Sequence, residues 1–154
     1  MKLEYLADHP EWVHRLAALH HEEWGPLVRD WSAQQCLDEL LSHSGRAVLP
    51  TTLVVVGDDG DLWGSASLIE EDIPELRDLP GPWLASVFVL PERRGHGAGR
   101  LLIEGVMRLA QRLGFERLHL FTEDKVALYE KLGWRVLELR PYHGALLSVM
   151  RWQV

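Results

Sequence analysis

The sequence predicts a mixed α/β (α+β-like) fold: a central, mostly antiparallel sheet that carries one parallel βαβ pair. Three observations lead there. Residues Trp83 to Gly114 read as strand, glycine-rich turn and helix. Phe115 to Thr122 follows as another strand, which makes a βαβ unit with a right-handed, parallel crossover. Two further strand pairs joined by short turns flank this unit, as antiparallel hairpins do. At 154 residues the chain is expected to form one domain over 1–154, long enough to bury a sizeable core.

Taken in order, Leu3-Glu4-Tyr5-Leu6 is a candidate first strand. Asp8 to Pro10 starts a helix, since proline suits a first turn, and Trp12, Leu16, Leu19 and Glu23 share one face. His20-His21-Glu22-Glu23 ends it as a solvated terminus. It is not the HExxH zinc motif, because Gly25 stands where the second histidine belongs. Gly25-Pro26 opens a loop. Ser32, with Gln35 three residues on, reads as a capping box for a second helix with Cys36, Leu37, Leu40 and Leu41 on its apolar face. Thr51 to Val56 is β-branched and pairs through the Gly57 to Asp61 turn with Leu62 to Ile69, where Gly64 suggests a bulge. An acidic loop, Glu70-Glu71-Asp72-Ile73-Pro74-Glu75, runs on to Pro80-Gly81-Pro82.

Leu84 to Leu90 suits a buried strand, and Pro91 ends it because proline cannot donate to a sheet ladder. Leu101, Leu102, Gly105, Leu109 and Leu113 then recur at helical spacing, and Gly114 sits where a C-capping glycine belongs. After the Phe115 to Thr122 strand, Asp124 is expected to cap a short helix through Leu132. Trp134 to Leu139 and Ala145 to Trp152 are the last strands, around a Pro141-Tyr142-His143-Gly144 turn.

Composition narrows the function. A net charge of −7 argues against nucleic acid, which needs a basic face, and is compatible with cationic substrates such as amines. No apolar run is long enough to span a bilayer, and Met1-Lys2-Leu3-Glu4 starts no signal peptide, so a cytoplasmic protein without membrane contact is expected. The single Cys36 forms no internal disulfide and no thiolate cluster, and no metal site is predicted.

The turn Arg94-Gly95-His96-Gly97-Ala98-Gly99-Arg100 carries the chemistry. Glycines cost backbone entropy, so their density needs a reason. Unpaired N–H groups at a helix start bind anions, and glycine lets a diphosphate come close, with Arg93, Arg94 and Arg100 adding positive charge. A Walker loop is excluded, because no Lys-Ser or Lys-Thr follows. A dinucleotide fingerprint is excluded too, because Arg100 stands where the third glycine belongs.

What does fit is Arg/Gln-x-x-Gly-x-Gly/Ala after a Val-x-Val strand and a proline. Val87-Phe88-Val89-Leu90-Pro91-Glu92-Arg93-Arg94-Gly95-His96-Gly97-Ala98-Gly99 resembles the acetyl-CoA-binding motif of the GNAT superfamily of N-acetyltransferases, with Arg94, Gly97 and Gly99 on its marked positions. The element order matches as well. A second stretch, Thr122 to Trp134, is similar to the family's Asn-x-x-Ala-x-x-x-Tyr-x-x-x-Gly-Phe ending through Tyr129, Gly133 and Trp134. Thr122 stands at the asparagine position, where a hydroxyl would replace the amide.

The resemblance implies a GNAT fold splayed for acetyl-CoA as cosubstrate. It places pantetheine where the parallel strands part, beside Phe88 and Val89, with the Val89 N–H on the thioester. It implies Tyr129 as the acid that protonates the leaving thiolate. The general base stays open between a water chain, the carboxylate of Glu70 at a strand end, and His119, whose reference pKa of about 6.5 suits the task and which faces away from Leu118 and Leu120. Trp24, Trp31, Glu71, Tyr142 and His143 are candidate walls for a small-molecule or peptide amine. The expected activity is direct acetyl transfer to a primary amine in a ternary complex, by a monomer or homodimer. The alternative is an acyl-CoA-binding sensor or scaffold without turnover.

Overall fold

A computed structural model describes residues 1–154. Seven strands form one sheet: β1 (Lys2–Tyr5), β2 (Thr51–Val56), β3 (Leu62–Ile69), β4 (Trp83–Val89), β5 (Arg117–Thr122), β6 (Arg135–Tyr142) and β7 (Ala145–Gln153). Their order across the sheet is β1-β2-β3-β4-β5-β7-β6, antiparallel except for β4 and β5. The helices are α1 (Val13–Trp24), α2 (Ala33–Ser42), α3 (Ala98–Arg112) and the short α4 (Val126–Glu130). None is long and apolar enough to cross a membrane.

Strand alternation sorts the core into layers. Leu53 and Val55 of β2, Ala66 and Leu68 of β3 and Leu84 of β4 pack under α3, against Leu102, Ile103, Val106 and Leu109. The opposite face of β2, through Val54 and Val56, meets Leu16, Ala17, Cys36 and Leu40 of α1 and α2. β2 is therefore buried along its whole length, as its unbroken apolar run requires. A third cluster joins Trp83, Ile73 and Leu76 to Tyr142, Leu147 and Val149, and seats the β3–β4 loop on the last hairpin.

Several local signals act as the sequence predicts. Ser32 Oγ accepts from the Gln35 N–H at 3.0 Å while Gln35 Oε1 accepts from the Ser32 N–H at 2.8 Å, a complete capping box. Gly114 takes φ 85° just past the end of α3.

Others are corrected. The first helix does not start at Asp8 to Pro10: two single 3₁₀ turns, Leu6–Asp8 and Pro10–Trp12, precede α1. Its end is solvated only in part: Glu22 and Glu23 are exposed as expected, but His20 is 3% exposed. The bulge in β3 falls at Trp63 rather than Gly64, since Val55 faces Gly64 and Val56 faces Leu62. Asp124 does not cap α4. The Thr122 hydroxyl accepts from the Lys125 N–H at 3.0 Å instead, and the helix stops at Glu130. The final strand pair extends further than predicted, through Tyr142. Its turn is only His143 and Gly144, with φ of 45° and 87°, and two positive φ values match the right-handed twist of a tight hairpin.

Candidate functional site

The sheet opens at its one parallel pair. β4 and β5 meet only at Trp83 and His119, where the His119 N–H reaches the Pro82 carbonyl at 3.1 Å. Beyond that point β4 continues along β3 without β5. A bulge starts the divergence: Ser65 faces Phe88 and Ser67 faces Ala85, so Ala66 opposes both Ser86 and Val87. Ser86 takes φ 55°, a left-handed conformation rare for a residue with a Cβ. Past the bulge, Val87 and Val89 are half-buried on the α3 side. The Leu90 N–H bonds the Trp63 carbonyl at 2.9 Å, so by alternation the Val89 N–H points to the side that β5 has left. Phe88 is different. Its ring is buried on the α1–α2 side, with centroids 5.8 Å from His20 and 6.0 Å from Trp24, and only its backbone reaches the opening.

The glycine-rich turn stands at the end of β4. Gly95 and Gly97 hold φ of 84° and 87°, and nothing lies within 4 Å of where a Cβ would stand on either, so this surface is open. Gly97 is the N-cap and gives no side-chain cap. The first N–H bonded inside α3 is that of Leu101, to Gly97 at 3.1 Å. The N–H groups of Ala98, Gly99 and Arg100 are therefore aimed outward at the positive end of a 15-residue helix. A Cβ on Gly99 would lie 3.7 Å from a Val89 methyl, which shows how closely the turn sits on the strand.

The arginines divide in a way the sequence does not show. Arg93 is paired with Asp59 at 2.5 Å and lies 4.9 Å over the Trp63 ring. Arg100 is paired with Glu104 at 2.9 Å. Arg94 donates only Nε, to the Val89 carbonyl at 3.0 Å, and its terminal nitrogens make no bond within the chain. His96 Nδ1 lies 3.2 Å from the Arg93 carbonyl and 3.1 Å from that of Arg94, closing the turn on itself. Of the three arginines around the turn, only Arg94 keeps its terminal nitrogens without a partner in the chain.

Across the opening, Thr122 ends β5 and Tyr129 lies on α4. Tyr129 is 7% exposed, its ring 6.1 Å from that of Trp134. Burial pushes its phenol up to about 12, and the hydroxyl makes no hydrogen bond within the chain. At neutral pH the phenol therefore stays protonated.

The predicted bases fare differently. His119 is fully buried: Nδ1 donates to the Pro80 carbonyl at 2.7 Å and Nε2 accepts from Arg151 Nε at 3.1 Å. Burial first, and the nearby arginines after it, lower its pKa. With both ring nitrogens engaged, no lone pair is left for a substrate proton. Glu70 is exposed after β3 and makes no side-chain hydrogen bond. Two residues on, burial and then the charge of Glu39 push the Asp72 carboxyl up to about 7. The sequence signal was Ile73 beside it: an apolar residue inside an acidic loop pulls that loop onto the core.

The α1–α2 side of the bulge carries groups that the sequence did not single out. A cavity of about 30 Å³ is lined by Trp31, Cys36, Glu39, His43, Ser67 and Ser86, together with His20 and Leu40. His20 Nε2 lies 3.0 Å from Ser65 Oγ. His43 Nδ1 lies 3.0 Å from Thr52 Oγ1, which lies 2.8 Å from Ser67 Oγ. Burial lowers both imidazoles, to about 3 for His20, with His43 adding to the effect, and to about 4 for His43. Cys36 Sγ donates to the Ala17 carbonyl at 3.3 Å, and burial pushes the thiol up to about 11. Of the predicted walls, Trp31 lies on this cavity and Trp24 packs behind it on Phe88. Glu71 is an exposed partner of Arg77, and Tyr142 is buried in the third cluster. His143 lies 3.1 Å from Glu75 on the exposed hairpin.

This geometry has counterparts among known proteins. The family model described as acetyltransferase (GNAT) family matches residues 13–134. Over 66 residues the chain is 43% identical to N-alpha-acetyltransferase 80 of Mus musculus, a stretch that covers 43% of this chain and 20% of that protein. It is 27% identical over 117 residues to the peptidyl-lysine N-acetyltransferase YjaB of Salmonella typhimurium, covering 75% of this chain and 79% of the relative. Two solved structures share the fold. One is an aminoglycoside 6′-N-acetyltransferase complexed with coenzyme A, at TM-score 0.74 and 17% identity over 99% of this chain and 97% of the other. The second is yncA of Salmonella typhimurium with acetyl-CoA, at TM-score 0.73 and 20% identity over 99% and 93%. The family model spans most of the chain, from α1 to the residue after the α4 turn, and the protein belongs to the GNAT acetyltransferase family as an acyl-CoA-dependent N-acetyltransferase.

Proposed function

We propose that the protein transfers acetyl from acetyl-CoA directly to a primary amine, with both substrates bound at once. The observation that carries this reading is the set of backbone donors without partners in the chain at the end of β4: the N–H groups of Ala98, Gly99 and Arg100 and the outward Val89 N–H. The first group suits a diphosphate and the second a thioester arm. In this reading Arg94, Gly95, His96, Gly97, Ala98, Gly99 and Arg100 hold the phosphates, chiefly by backbone. Phe88 and Val89 border the arm on one side and Thr122 on the other.

The amine nitrogen attacks the thioester carbonyl, the C–S bond breaks, and the thiolate takes the proton of Tyr129. The amine's own proton leaves through the acidic segment after β3. Glu70 is exposed there, and Asp72, at about 7, has the affinity for protons that a base needs near neutral pH. His119 is left out because its ring is fully bonded. Cys36 is left out as an acyl carrier because a buried thiol raised to about 11 is a poor nucleophile.

The test is thermal unfolding with and without acetyl-CoA, then release of free CoA across a panel of amines. Acetyl-CoA at about 100 times its Kd stabilises by roughly 2.7 kcal/mol. Intersecting initial-rate plots on an active amine establish the ternary complex. Stabilisation with no turnover on any amine would instead identify an acyl-CoA sensor or scaffold.

A further inference from the structure

β5, β7 and β6 carry three arginines that no carboxylate answers. In register, Arg151 of β7 faces His119 of β5 on one side and Arg135 of β6 on the other. Arg117 stands two residues before His119, so alternation puts it on the same face, diagonal to Arg151 and about 7–8 Å from it. Six arginines elsewhere pair with carboxylates, but none of these three does. Glu138, the one acidic residue of β6, already serves Arg140 at 2.7 Å. Like charges set opposite each other across strands destabilise a sheet, so the Arg135–Arg151 pair needs a reason.

Two of the arginines are set up as donors. Arg117 Nε is buried and has no hydrogen-bond partner, and an unpaired buried donor costs more when it is charged. Arg151 is held in place by His119. The Pro80 carbonyl can only accept, so His119 Nδ1 carries the ring proton at 2.7 Å, and Nε2 accepts from Arg151 Nε at 3.1 Å. Burial disfavours a second proton on the ring, so Nε2 stays an acceptor. That bond leaves both terminal nitrogens of Arg151, the forked end of the guanidinium, without a partner in the chain.

We propose that Arg117, Arg135 and Arg151 form a second anion site, which takes the phosphate group of a small phosphate monoester. It is separate from the donor turn. The three arginines lie on the sheet face away from α3, where Phe121 and Val149 also point, and Arg117 is at the far end of β5 from Thr122, about 16 Å along the strand. The ligand class follows from oxygens and charge. A carboxylate has two oxygens and one charge, which a single guanidinium fork satisfies. A phosphate monoester brings three acceptor oxygens and nearly two charges, which suits three guanidiniums on adjacent strands. Arg135 is exposed, so the rim is open and the rest of the ester can lead into solvent. Three arginines on a chain of net charge −7 do not make the extended basic face that nucleic acid needs.

The test is calorimetry on the whole protein with two probes, inorganic phosphate and glycerol 3-phosphate, at constant ionic strength set by chloride. Dephospho-CoA is present throughout: it offers the donor turn a diphosphate and carries no monoester of its own. Both probes are expected to bind. Arg135→Gln, at an exposed position, weakens each by about tenfold, the scale of one charged hydrogen bond. Without phosphate the same variant melts no lower than the parent protein, because a repulsion is removed with the charge. Arg117→Met keeps the apolar stem, loses the charged head, and weakens both probes to a similar degree. Acetyl-CoA affinity is unchanged in both variants. No binding of either probe beyond the effect of chloride overturns the proposal. So does phosphate affinity that both variants retain, or phosphate that binds only until dephospho-CoA displaces it. Binding of inorganic phosphate without glycerol 3-phosphate overturns the monoester class.

Discussion

Arg94 Nε donates to the carbonyl of Val89 across 3.0 Å, which ties the glycine-rich turn to the last residue of β4. The bond uses one of the guanidinium's three nitrogens and leaves the outer two without a partner in the chain, with the guanidinium carbon 5.9 Å over the Phe88 ring. Arg94→Ala is expected to weaken acetyl-CoA binding by about tenfold, the scale of a charged hydrogen bond, with the fold intact because the side chain is exposed. Calorimetry decides it, and unchanged affinity removes Arg94 from the donor site.

Gly97 cannot be replaced without cost, although there is room for a side chain. Nothing lies within 4 Å of its missing Cβ, but φ is 87°. Gly97→Val therefore acts through the backbone, at roughly 1–2 kcal/mol, and puts a branched side chain onto the anion-binding surface. A lowered melting temperature and loss of acetyl-CoA binding are expected together. A folded variant with full affinity would place the diphosphate elsewhere.

Tyr129→Phe separates chemistry from packing. The ring packs on Trp134 and stays; the hydroxyl, with no partner in the chain, goes. Little change in melting temperature or acetyl-CoA affinity is expected. The turnover number should fall modestly, near the low end of the roughly 10²–10⁴ range of acid–base catalysis, because a thiolate is already a tolerable leaving group. An unchanged kcat would make the proton donor water.

Cys36→Ala is expected to keep most activity. The thiol is buried against the Ala17 carbonyl and raised to about 11, so it carries no acetyl group. Mass spectrometry of the protein mixed with acetyl-CoA alone should find no acetyl adduct on Cys36.

Stability should depend on pH in a defined direction. His20 and His43 are lowered to about 3 and about 4, against about 6.5 unfolded, so between those values the unfolded chain binds more protons. Their contribution is complete above about pH 6.5 and is lost as pH falls through the folded values. Asp72 acts oppositely. Raised to about 7 against about 3.9 unfolded, it lowers stability as pH rises from about 4 to about 7. Melting curves from pH 3 to 8 check both. His20→Asn should flatten the acid limb, and Asp72→Asn should raise the melting temperature most at the alkaline end.

The sequence by itself determined what depends on neighbours along the chain. The capping box of Ser32 and Gln35, the stop at Pro91, the C-capping glycine Gly114 and the period of α3 are local, so residue type and spacing are enough to reveal them. The shape of the glycine-rich turn was legible for the same reason, since its N–H groups belong to the backbone of one contiguous segment. The tertiary structure alone decided where charges and imidazoles end up. Arg93 meets Asp59 from 34 positions away, His20 meets Ser65 from 45, and Arg151 meets His119 from 32. Strand alternation put His119 on the correct face, yet a face does not name its occupants, and Pro80 and Arg151 were already there. The α1–α2 side was illegible for that reason: its cavity exists only where α1, α2 and the β4 bulge converge. A side chain's protonation and availability are set by desolvation and by partners that only the packed fold supplies.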